Sequence, residues 1–452
     1  MLDIDYIRKN IDKIRDLIKI GRADSSKVNV DEWLKLDDDR SSLIHKVELL
    51  RFERNKISSQ LKSRPDQQTL EKLSNLKEEI SQIEADLKRI ESRWREILDW
   101  IPNVPYNEVP DGRSSEDNVE IKAWHPGVGY FSSEKLGRSE ESGKFMPMCG
   151  TNADTEFSPV PHWDIGTKLG LFDLEAGAKV SGSRFYFLKG DGALLIYATF
   201  DLMLKKLISE GFTPLIVPVL VRERALYGSS HFPADADQVY KVESKNTEDP
   251  ESDLFLVGSS EPSNFCYFAD RILDLSKPIK ITAQSPCFRT EVGSWGKDVR
   301  GIKRAHQFEK IEMNIIMEAD DEKARQMHEY LLSLNEWLLQ TLEIPYHVIN
   351  MCVGDLGYYA ACKKYDVEFW TPSQQCYTEL MSNSITTDYQ ARRLNIKYRD
   401  ENGRLRYAYT LNDTAVTHRI LIAILEHYQQ SDGSLKIPEA LRDYLKKDVI
   451  YP

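Results

Sequence analysis

Residues from about 30 to 98 carry the pattern that most restricts how this chain can fold. The first part of this segment places apolar side chains on an alternating four-three spacing, at Leu36, Leu43, Val47, Leu50, Ile57 and Leu61, with Arg40 and Arg54 at the two vacant positions. The second part keeps the same spacing without a gap, at Leu73, Leu76, Ile80, Ile83, Leu87, Ile90, Trp94 and Ile97. A heptad seam on each side predicts two long α-helices that pack as a coiled coil.

The break between these two segments is the short sequence Ser63-Arg64-Pro65-Asp66. Pro65 cannot continue a helix, because its ring blocks the helical backbone and it has no N–H to donate. Since the connection is short, the second helix must fold back on the first. The segment therefore predicts an antiparallel helical hairpin, an arm about 45 Å long for helices of about 30 residues.

The charge of this arm differs from that of the whole chain. The chain is acidic, with a net charge of −12, which argues against a nucleic-acid partner. Residues 46–64 nevertheless contain only two acids, Glu48 and Glu53, and a larger set of bases, Lys46, Arg51, Arg54, Lys56, Lys62 and Arg64. Binding to a polyanion depends on local patches, not on the average charge. Two interpretations remain open, a solvated charged helix face and a nucleic-acid contact.

Several classes of protein are excluded by what the sequence lacks. No run of about 18 apolar residues could span a membrane. The segment Met1–Asp5 carries acids and no apolar core of signal-peptide length, so a cytoplasmic location is expected. The six cysteines form no CxxC pair, which favours reduced structural thiols over a zinc site. No GxGxxG or GxxxxGK[ST] sequence occurs, so any nucleotide must be bound by another device.

The remainder of the chain has a mixed pattern. Residues 99–120 include Pro102, Pro105, Pro110 and Gly112 and are typical of a linker. Beyond them, strand-like runs such as Thr213–Val221 alternate irregularly with amphipathic stretches such as Ala324–Leu342. The sequence therefore predicts an α+β fold on an antiparallel β-sheet. We place the helical arm in residues 1–110 and the second domain in residues 111–452.

The densest polar segment runs from Cys287 to Glu312. Its two flanks surround the glycine-rich stretch Gly293–Gly301, as expected for two strands joined by a long loop. Such strands would place Arg289, Glu291, Arg304 and Glu312 on one surface. Arginines that face carboxylates suit a polyanionic substrate that also carries an amine, although a salt-bridged sheet surface would have the same composition.

This segment resembles motif 2 of the class II aminoacyl-tRNA synthetases, in the form typical of seryl-tRNA synthetases. Further stretches resemble elements of that family in the same order, namely Gly211–Pro218 (motif 1), Gly228–Pro233, Gly258–Glu261 (the serine-binding Thr-x-Glu element), Gly354–Gly357, Lys364–Asp366, Asp388–Arg393 and Leu411–Glu426 (motif 3). The N-terminal hairpin is similar to the tRNA-binding arm of the family. The resemblance covers nearly the whole chain and implies a class II catalytic domain after a coiled-coil arm.

The resemblance implies roles for individual residues. ATP would be bound by Arg289, Glu291, Arg304, Ala305, Phe308, Glu379, Ser382 and Arg419, of which Arg289, Glu291 and Arg419 would be catalytic. Mg²⁺ would be held at Glu379 and Ser382 through ATP. Serine would be bound by Ser259, Glu261, Glu312 and Thr414, and tRNA by Arg51, Arg54, Lys56, Lys62 and Arg64.

The implied activity is ATP-dependent activation of L-serine and its transfer to the 3′ end of tRNA(Ser), with tRNA(Sec) as an expected second acceptor. Motif 1 implies a homodimer. Three departures from the family pattern are Ser259 in place of threonine, Tyr409 in place of histidine, and one residue fewer between Thr414 and Arg419. They leave two alternatives open, a specialised paralogue for antibiotic resistance or biosynthesis and a non-catalytic binding homologue.

Overall fold

The chain divides into two compact units, Met1–Pro102 and Asn103–Pro452. A computed structural model describes residues 1–61, 65–131, 158–243, 253–292, 300–357 and 359–452. The division lies within the linker predicted at residues 99–120, and the boundary predicted after residue 110 falls inside the second unit. Asn103 belongs to that unit because its side-chain amide donates to the carbonyl oxygens of Ala360 (2.8 Å) and Thr386 (3.0 Å).

Helices and strands alternate irregularly along the described residues. The helices are α1 (Ile4–Lys9), α2 (Ile11–Ile20), α3 (Val30–Gln60), α4 (Gln67–Asp99), α5 (His162–Lys168), α6 (Leu174–Ser181), α7 (Asp191–Ser209), α8 (Glu223–Gly228), α9 (Glu261–Cys266), α10 (Asp321–Thr341), α11 (Tyr389–Leu394), α12 (Ile420–Tyr428) and α13 (Glu439–Leu445). Within the described part of the chain, none of these helices has the length and apolar character that crossing a membrane requires.

The strands are short at the periphery and long at the centre of the second unit. They are β1 (Val119–His125), β2 (Gly129–Phe131), β3 (Phe172–Asp173), β4 (Phe187–Leu188), β5 (Thr213–Leu215), β6 (Leu220–Arg222), β7 (Lys241–Val242), β8 (Leu254–Leu256), β9 (Ile272–Leu273), β10 (Ile279–Phe288), β11 (Gln307–Met317), β12 (Tyr346–Asn350), β13 (Lys363–Thr371), β14 (Cys376–Thr387), β15 (Lys397–Arg399), β16 (Leu405–Tyr407), β17 (Tyr409–Thr417), β18 (Leu435–Lys436) and β19 (Val449–Ile450).

The first unit contains the predicted helical hairpin, formed by α3 and α4. Side-chain oxygens cap both helices, since Asn29 accepts from the Glu32 amide (3.0 Å) and Asp66 from the Thr69 amide (2.7 Å). The heptad positions pack between the helices, with Val47, Leu76, Ile80, Ile83, Trp94 and Ile97 buried. The helices are antiparallel, because Arg40 in the first half of α3 pairs with Glu91 near the end of α4, and Glu53 near the end of α3 pairs with Lys72 near the start of α4. The coiled-coil prediction is confirmed.

Arg40 shows how a charged side chain occupies a seam position. Its guanidinium lies 4.8 Å from the centre of the Trp94 ring, and its Nε donates to Glu91 (3.1 Å). The Trp94 indole N–H donates to Asp37 (3.0 Å), and Trp33 stacks against the same ring. The alkyl part of Arg40 therefore stays in the seam while its charge is stabilised by an aromatic face and a carboxylate.

The predicted basic cluster is partly neutralised by the second helix. Lys46 pairs with Glu79 (2.9 Å) and Arg51 with Glu84 (2.7 Å). Arg54 and Lys56, by contrast, form no ion pair within the described part of the chain. Lys62 and Arg64, like Ser63, lie outside the described residues.

The second unit is built on an antiparallel sheet, which confirms the predicted fold class. Its described strands run in the order β2-β1-β12-β13-β14-β17-β11-β10-β5, and only β5 pairs in parallel, with β10. The strand predicted at Thr213–Val221 is divided into β5 and β6, and Pro218, which lacks an N–H, lies between them. The helix predicted at Ala324–Leu342 is α10.

The long strand β11 separates the core from a polar face. Its side chains Ile311, Met313 and Ile315 are fully buried in the main apolar core with residues of α7, α10 and α12. Successive side chains of a strand point to opposite faces, so Phe308, Lys310 and Glu312 face the other side of the sheet. The polar face of β11 is the floor of the site described below.

His347 links three strands at the other end of the sheet. Its Nδ1 lies 2.7 Å from a carboxylate oxygen of Glu120 on β1, and its Nε2 lies 2.8 Å from one of Glu368 on β13. Burial by itself lowers the pKa of His347, but hydrogen bonds to Glu120 and Glu368 outweigh this effect and raise the pKa. Two acceptors, one at each ring nitrogen, favour the doubly protonated ring.

We expect His347 to make the stability of this protein depend on pH. A raised pKa in the folded state contributes stability at low pH that is lost as the pH rises through the folded pKa. From pH 6 to pH 9, the unfolding temperature of the wild type should therefore fall relative to that of His347→Gln. Scanning calorimetry measures this difference, and His45→Gln on the exposed face of α3 is the control. A difference that stays constant over this range would contradict the assignment.

Candidate active site

An open cavity of about 500 Å³ lies on the polar face of the central sheet. A smaller cavity of about 50 Å³ adjoins it. The residues that line both cavities are Arg289, Glu291, Arg304, Lys310, Glu379, Thr414 and Arg419. The place where the two cavities meet is thus surrounded by four basic side chains, two carboxylates and one hydroxyl group. Such a mixture of charges suits a substrate with charges of both signs.

Every site residue predicted in the second domain lines one of these cavities. Ser259, Glu261, Glu312 and Ser382 line only the larger one. Ala305 and Phe308 line only the smaller one. Most residues predicted for serine thus line only the larger cavity and Phe308, predicted for adenine, only the smaller one, whereas Thr414 and Arg419 lie at the junction and line both.

Strands β10 and β11 supply the centre of the site. They pair antiparallel from Ile279 opposite Ile316 to Phe288 opposite Gln307. Arg289 and Glu291 therefore follow the end of β10, and Arg304 precedes the start of β11. Arg304 donates to the Glu291 carboxylate (3.2 Å). The Arg289 guanidinium lies 5.5 Å from the centre of the Phe308 ring. The predicted placement of these side chains on one surface is therefore observed.

Lys310 is a site residue that the sequence interpretation missed. Its Nζ lies 2.6 Å from a carboxylate oxygen of Glu312, and both side chains are almost completely buried. Burial removes water from both charges, and each charge compensates the other for this loss best when the two groups are in direct contact. The signal available in the sequence was the alternation Phe308-x-Lys310-x-Glu312, which places all three on one face of a strand.

Glu261 is fixed by a network of buried amides. One of its carboxylate oxygens accepts from the side-chain amides of Gln390 (2.7 Å) and Asn412 (3.0 Å). The same Gln390 nitrogen donates to the Ser229 carbonyl (3.0 Å), which ties Glu261 to the loop after α8. Ser259 keeps the hydroxyl of the expected threonine, and its Oγ accepts from the Glu261 amide (3.3 Å). Ser259 thus retains the polar group at this position.

Gln390 is a second residue that the sequence interpretation missed. It is fully buried on α11, and its carbonyl oxygen accepts from the hydroxyls of Thr386 (3.1 Å) and Thr410 (2.8 Å). These bonds fix which end of the amide faces Glu261, because the oxygen is already used by the two hydroxyls. The segment Asp388–Arg393 resembles a family element, but it does not signal this role, since Glu261 and Thr410 come from distant segments.

Arg419 reaches the cavity although the segment before it is short. It occupies the N-cap position of α12, two residues after the end of β17, and its guanidinium donates to the carbonyl oxygens of Glu379 (3.0 Å) and Lys303 (3.2 Å). The pairing of β17 with β11 skips Ala415, because Glu312 lies opposite Thr414 and Ile311 opposite Val416. Such a bulge bends the strand locally.

His418, the residue before Arg419, supports the smaller cavity. Its ring packs against Phe308 at 5.2 Å, and its Nε2 lies 2.8 Å from the Ile302 carbonyl oxygen. Burial, followed by the nearby charge of Arg419, lowers the pKa of His418 to about 3. The ring is therefore neutral at physiological pH, and Nε2 donates to Ile302.

Glu379, which lines the larger cavity, interacts electrostatically with the buried carboxylate of Asp366. Burial opposes ionisation of Glu379, but Arg419, Lys364 and Arg289 outweigh it and lower the pKa of Glu379. Burial raises the pKa of Asp366 to about 6, although its carboxylate lies 3.2 Å from the Lys364 ammonium. Ser382 lies opposite Asp366 on the neighbouring strand. The environment therefore keeps Glu379 ionised and makes Asp366 easier to protonate.

The oxygens of Glu379 and Ser382 are of the kind that Mg²⁺ prefers. The described residues contain no cluster of three or more His, Cys, Asp or Glu side chains that could hold a metal alone. A magnesium ion at this position would therefore need further oxygen ligands, which the phosphates of a bound nucleotide could supply.

The antiparallel sheet and its arginine-rich cavity define a class II aminoacyl-tRNA synthetase core. Residues 240–428 match the family model described as "tRNA synthetase class II core domain (G, H, P, S and T)", and residues 1–105 match "Seryl-tRNA synthetase N-terminal domain". With the full-length relatives described next, these matches show that the chain belongs to the seryl-tRNA synthetase family.

The similarity extends over the whole chain. A serine–tRNA ligase from Deinococcus radiodurans is 38% identical over 450 residues, which is 98% of this chain and 97% of the relative. The seryl-tRNA synthetase of Pyrococcus horikoshii, solved in complex with ATP, is 36% identical, with a TM-score of 0.86 and 100% of both chains covered. The cytoplasmic serine–tRNA ligase of Naegleria fowleri, solved in complex with AMP, is 29% identical, with a TM-score of 0.81 and coverage of 99% and 96%.

Proposed function

We propose that this chain activates L-serine with ATP and transfers the seryl group to the 3′ end of tRNA(Ser). The observation that carries the proposal is the junction of the two cavities, where Arg289 lies between the residues expected to bind adenine and those expected to bind serine. The relatives named serine–tRNA ligase, and the related structures with ATP and AMP, support the same activity. The acceptance of tRNA(Sec) and the cytoplasmic location stay predictions.

In the first step, a carboxylate oxygen of serine attacks the α-phosphorus of ATP. The bond from that phosphorus to the oxygen bridging to the β-phosphate breaks, and pyrophosphate leaves with the bonding electrons. Arg289 would offset the negative charge that develops on the α-phosphoryl oxygens. The serine carboxylate is already a nucleophile, so the site needs to position the reactants and neutralise charge, not to transfer a proton.

In the second step, a hydroxyl group of the terminal ribose of tRNA attacks the acyl carbon of seryl-adenylate. The bond from that carbon to the phosphate oxygen breaks, the proton of the hydroxyl is lost, and AMP leaves. Phe308 and Arg419 would hold the adenine ring between an aromatic face and a guanidinium plane. Glu291, Arg304 and Ala305 would complete the nucleotide site, with Mg²⁺ bound to the phosphates beside Glu379 and Ser382.

Serine would be selected by buried polar groups. Ser259, Glu261, Glu312 and Thr414 are all almost completely buried in the larger cavity. A ligand without the hydroxyl group would leave some of these groups without a hydrogen-bond partner, which a polar site rejects strongly. Alanine and glycine would be excluded in this way without an editing domain.

The activation step gives the first functional prediction. Serine-dependent exchange of pyrophosphate into ATP should be far faster than exchange with alanine, glycine or threonine. Arg289→Ala should lower the exchange rate by roughly 100-fold or more, since a removed transition-state donor costs that much in comparable sites. Arg399→Ala, at an exposed arginine of β15 outside both cavities, is the matched control.

Each alternative function has its own outcome in this assay. Exchange with alanine at the serine rate would contradict the substrate assignment. Serine binding without exchange would favour a non-catalytic homologue, and exchange without charging of tRNA would favour a specialised paralogue.

We also propose that the chain forms a homodimer through the segment that resembles motif 1. This segment contains β5, which is an edge strand of the described central sheet. Ile216, directly after β5, is fully exposed. Leu220 is exposed close by in sequence. Exposed apolar side chains at a sheet edge are suited to association, and closed two-fold dimers are the commonest oligomers.

Substitution at Ile216 tests this proposal. By light scattering, the wild type should have twice the 52.2 kDa mass of one chain. Ile216→Lys should shift the mass towards that of a monomer, because it places a charge in an apolar contact. Val128→Lys, at an exposed apolar residue outside the motif 1 segment, should leave the mass unchanged. A monomeric wild type at micromolar concentration would refute the dimer.

The helical arm is proposed to bind tRNA through its basic residues. Arg51 remains about half exposed despite its pair with Glu84. Arg54 and Lys56 keep charges that no described acid neutralises; the expected contribution of Lys62 and Arg64 concerns residues outside the described ones. Double-stranded RNA is recognised mainly through its shape, phosphates and ribose groups, which lysine and arginine on a rigid helix can contact.

The double variant Arg54→Ala/Lys56→Ala should weaken tRNA binding and spare activation. The affinity for tRNA falls as salt rises, and loss of two phosphate contacts should make the slope of log affinity against log salt less steep by about 2. Filter binding at several salt concentrations measures this slope, and serine-dependent exchange, which needs no tRNA, should keep its rate. The control is Lys77→Ala/Lys88→Ala on α4, at two exposed lysines not assigned to tRNA. An unchanged salt slope would show that the basic residues are only a solvated face.

A further inference from the structure

Lys310 occupies a position in the site that none of the roles above explains. It lies between Phe308 and Glu312 on the cavity face of β11. Phe308 lines only the smaller cavity, Glu312 lines only the larger one, and Lys310 lines both. Alternate side chains of a strand are about 6.6 Å apart, so the Lys310 ammonium can reach the junction between the two cavities.

The ion pair of Lys310 and Glu312 is buried and close. Lys310 is 5% exposed, Glu312 is 2% exposed, and Nζ lies 2.6 Å from the carboxylate oxygen. A charge left alone in such a place is strongly unfavourable, because it has lost its water and has no partner. A ligand can therefore separate this pair only if it supplies a new partner to each member.

The other cations of the cavity are engaged differently. Arg304 pairs with Glu291, Lys364 with Asp366 and Arg419 with Glu379. None of these carboxylates is expected to bind serine, so serine would not displace the cations. Arg289 donates to the Gly258 carbonyl oxygen (3.5 Å) and faces Phe308, which suits its proposed contact with the α-phosphate.

We propose that L-serine binds by exchanging partners with the Lys310–Glu312 pair. The ammonium group of serine takes the Glu312 carboxylate, and the carboxylate of serine takes the Lys310 ammonium. Each buried charge then keeps an opposite charge, and the net charge of the site does not change. Lys310 is in this way the residue that binds the substrate carboxylate and holds it beside the α-phosphate.

This assignment rests on the proposed function and makes the site selective for a zwitterion. Serinol tests it, since it keeps the ammonium and hydroxyl groups of serine but carries a second hydroxymethyl group in place of the carboxylate. In the wild type, serinol can pair with Glu312 but leaves Lys310 without a partner. In Lys310→Met, the same ligand neutralises Glu312 and leaves no charge unpaired.

Equilibrium binding of L-serine and serinol to the full-length chain, followed by calorimetry, measures the effect. The wild type should bind serine more tightly than serinol. Lys310→Met should weaken serine binding by roughly 30-fold or more, the typical effect of truncating one partner of a buried charge pair. Serinol should bind the variant at least as well as it binds the wild type. In the exchange assay, KM for serine should rise much more than KM for ATP.

Further variants separate this role from a structural one. Lys310→Gln, which keeps a hydrogen-bond donor but no charge, should likewise lose the preference for serine over serinol. This variant replaces Lys310→Met in the test if Lys310→Met does not fold. Lys397→Met on β15, outside both cavities, should behave as the wild type. Equal weakening of serine and serinol in both Lys310 variants would overturn the proposal while leaving the proposed function in place. A wild type that neither binds serine nor catalyses serine-dependent exchange would overturn both.

Discussion

The antiparallel pairing of β10 with β11 is the constraint on which the site depends. A strand has a side-chain period of two, so a shift of one residue would exchange its two faces. In β11 that shift would bring Ile311 and Met313 into the cavity and bury Lys310 and Glu312 in the apolar core. The free energy of burying the apolar side chains therefore fixes the register. The positions of the polar residues in the cavity follow from that register.

The charges of the cavity are held in pairs. Lys310 with Glu312, Arg304 with Glu291 and Arg419 with Glu379 each bring a cation to a carboxylate; the first pair is almost completely buried, and Arg304 and Glu379 stay partly exposed. Pairing offsets the desolvation of each charge, so the fold tolerates a concentration of charge that would be unfavourable if the charges were unpaired. His418 does not add to this charge, because burial keeps its ring neutral. The cavity is thus prepared for a substrate with both positive and negative groups.

Residues far apart in sequence hold the predicted site residues in position. Glu261 is held by Gln390 of α11 and Asn412 of β17, and Arg419 contacts the backbone of Glu379 and Lys303. Such contacts set the orientation of a side chain and not its identity. They explain why the identities of the site residues could be proposed from the family resemblance, whereas Lys310, Gln390 and His418 were recognised only in the folded chain.

The sequence by itself determined the elements whose signal is local. The heptad spacing of Leu73, Ile80 and Trp94 predicted α4, and the polar flanks of the 287–312 segment predicted two paired strands, because periodicity states which face of an element is buried. The tertiary structure decided what periodicity cannot encode. It placed Glu79 and Glu84 beside Lys46 and Arg51 and so reduced the charge expected on the arm. It also divided the strand predicted at Thr213–Val221, and it brought Gln390 to Glu261. These outcomes depend on which distant segments become neighbours, and that is settled by the packing of the whole chain.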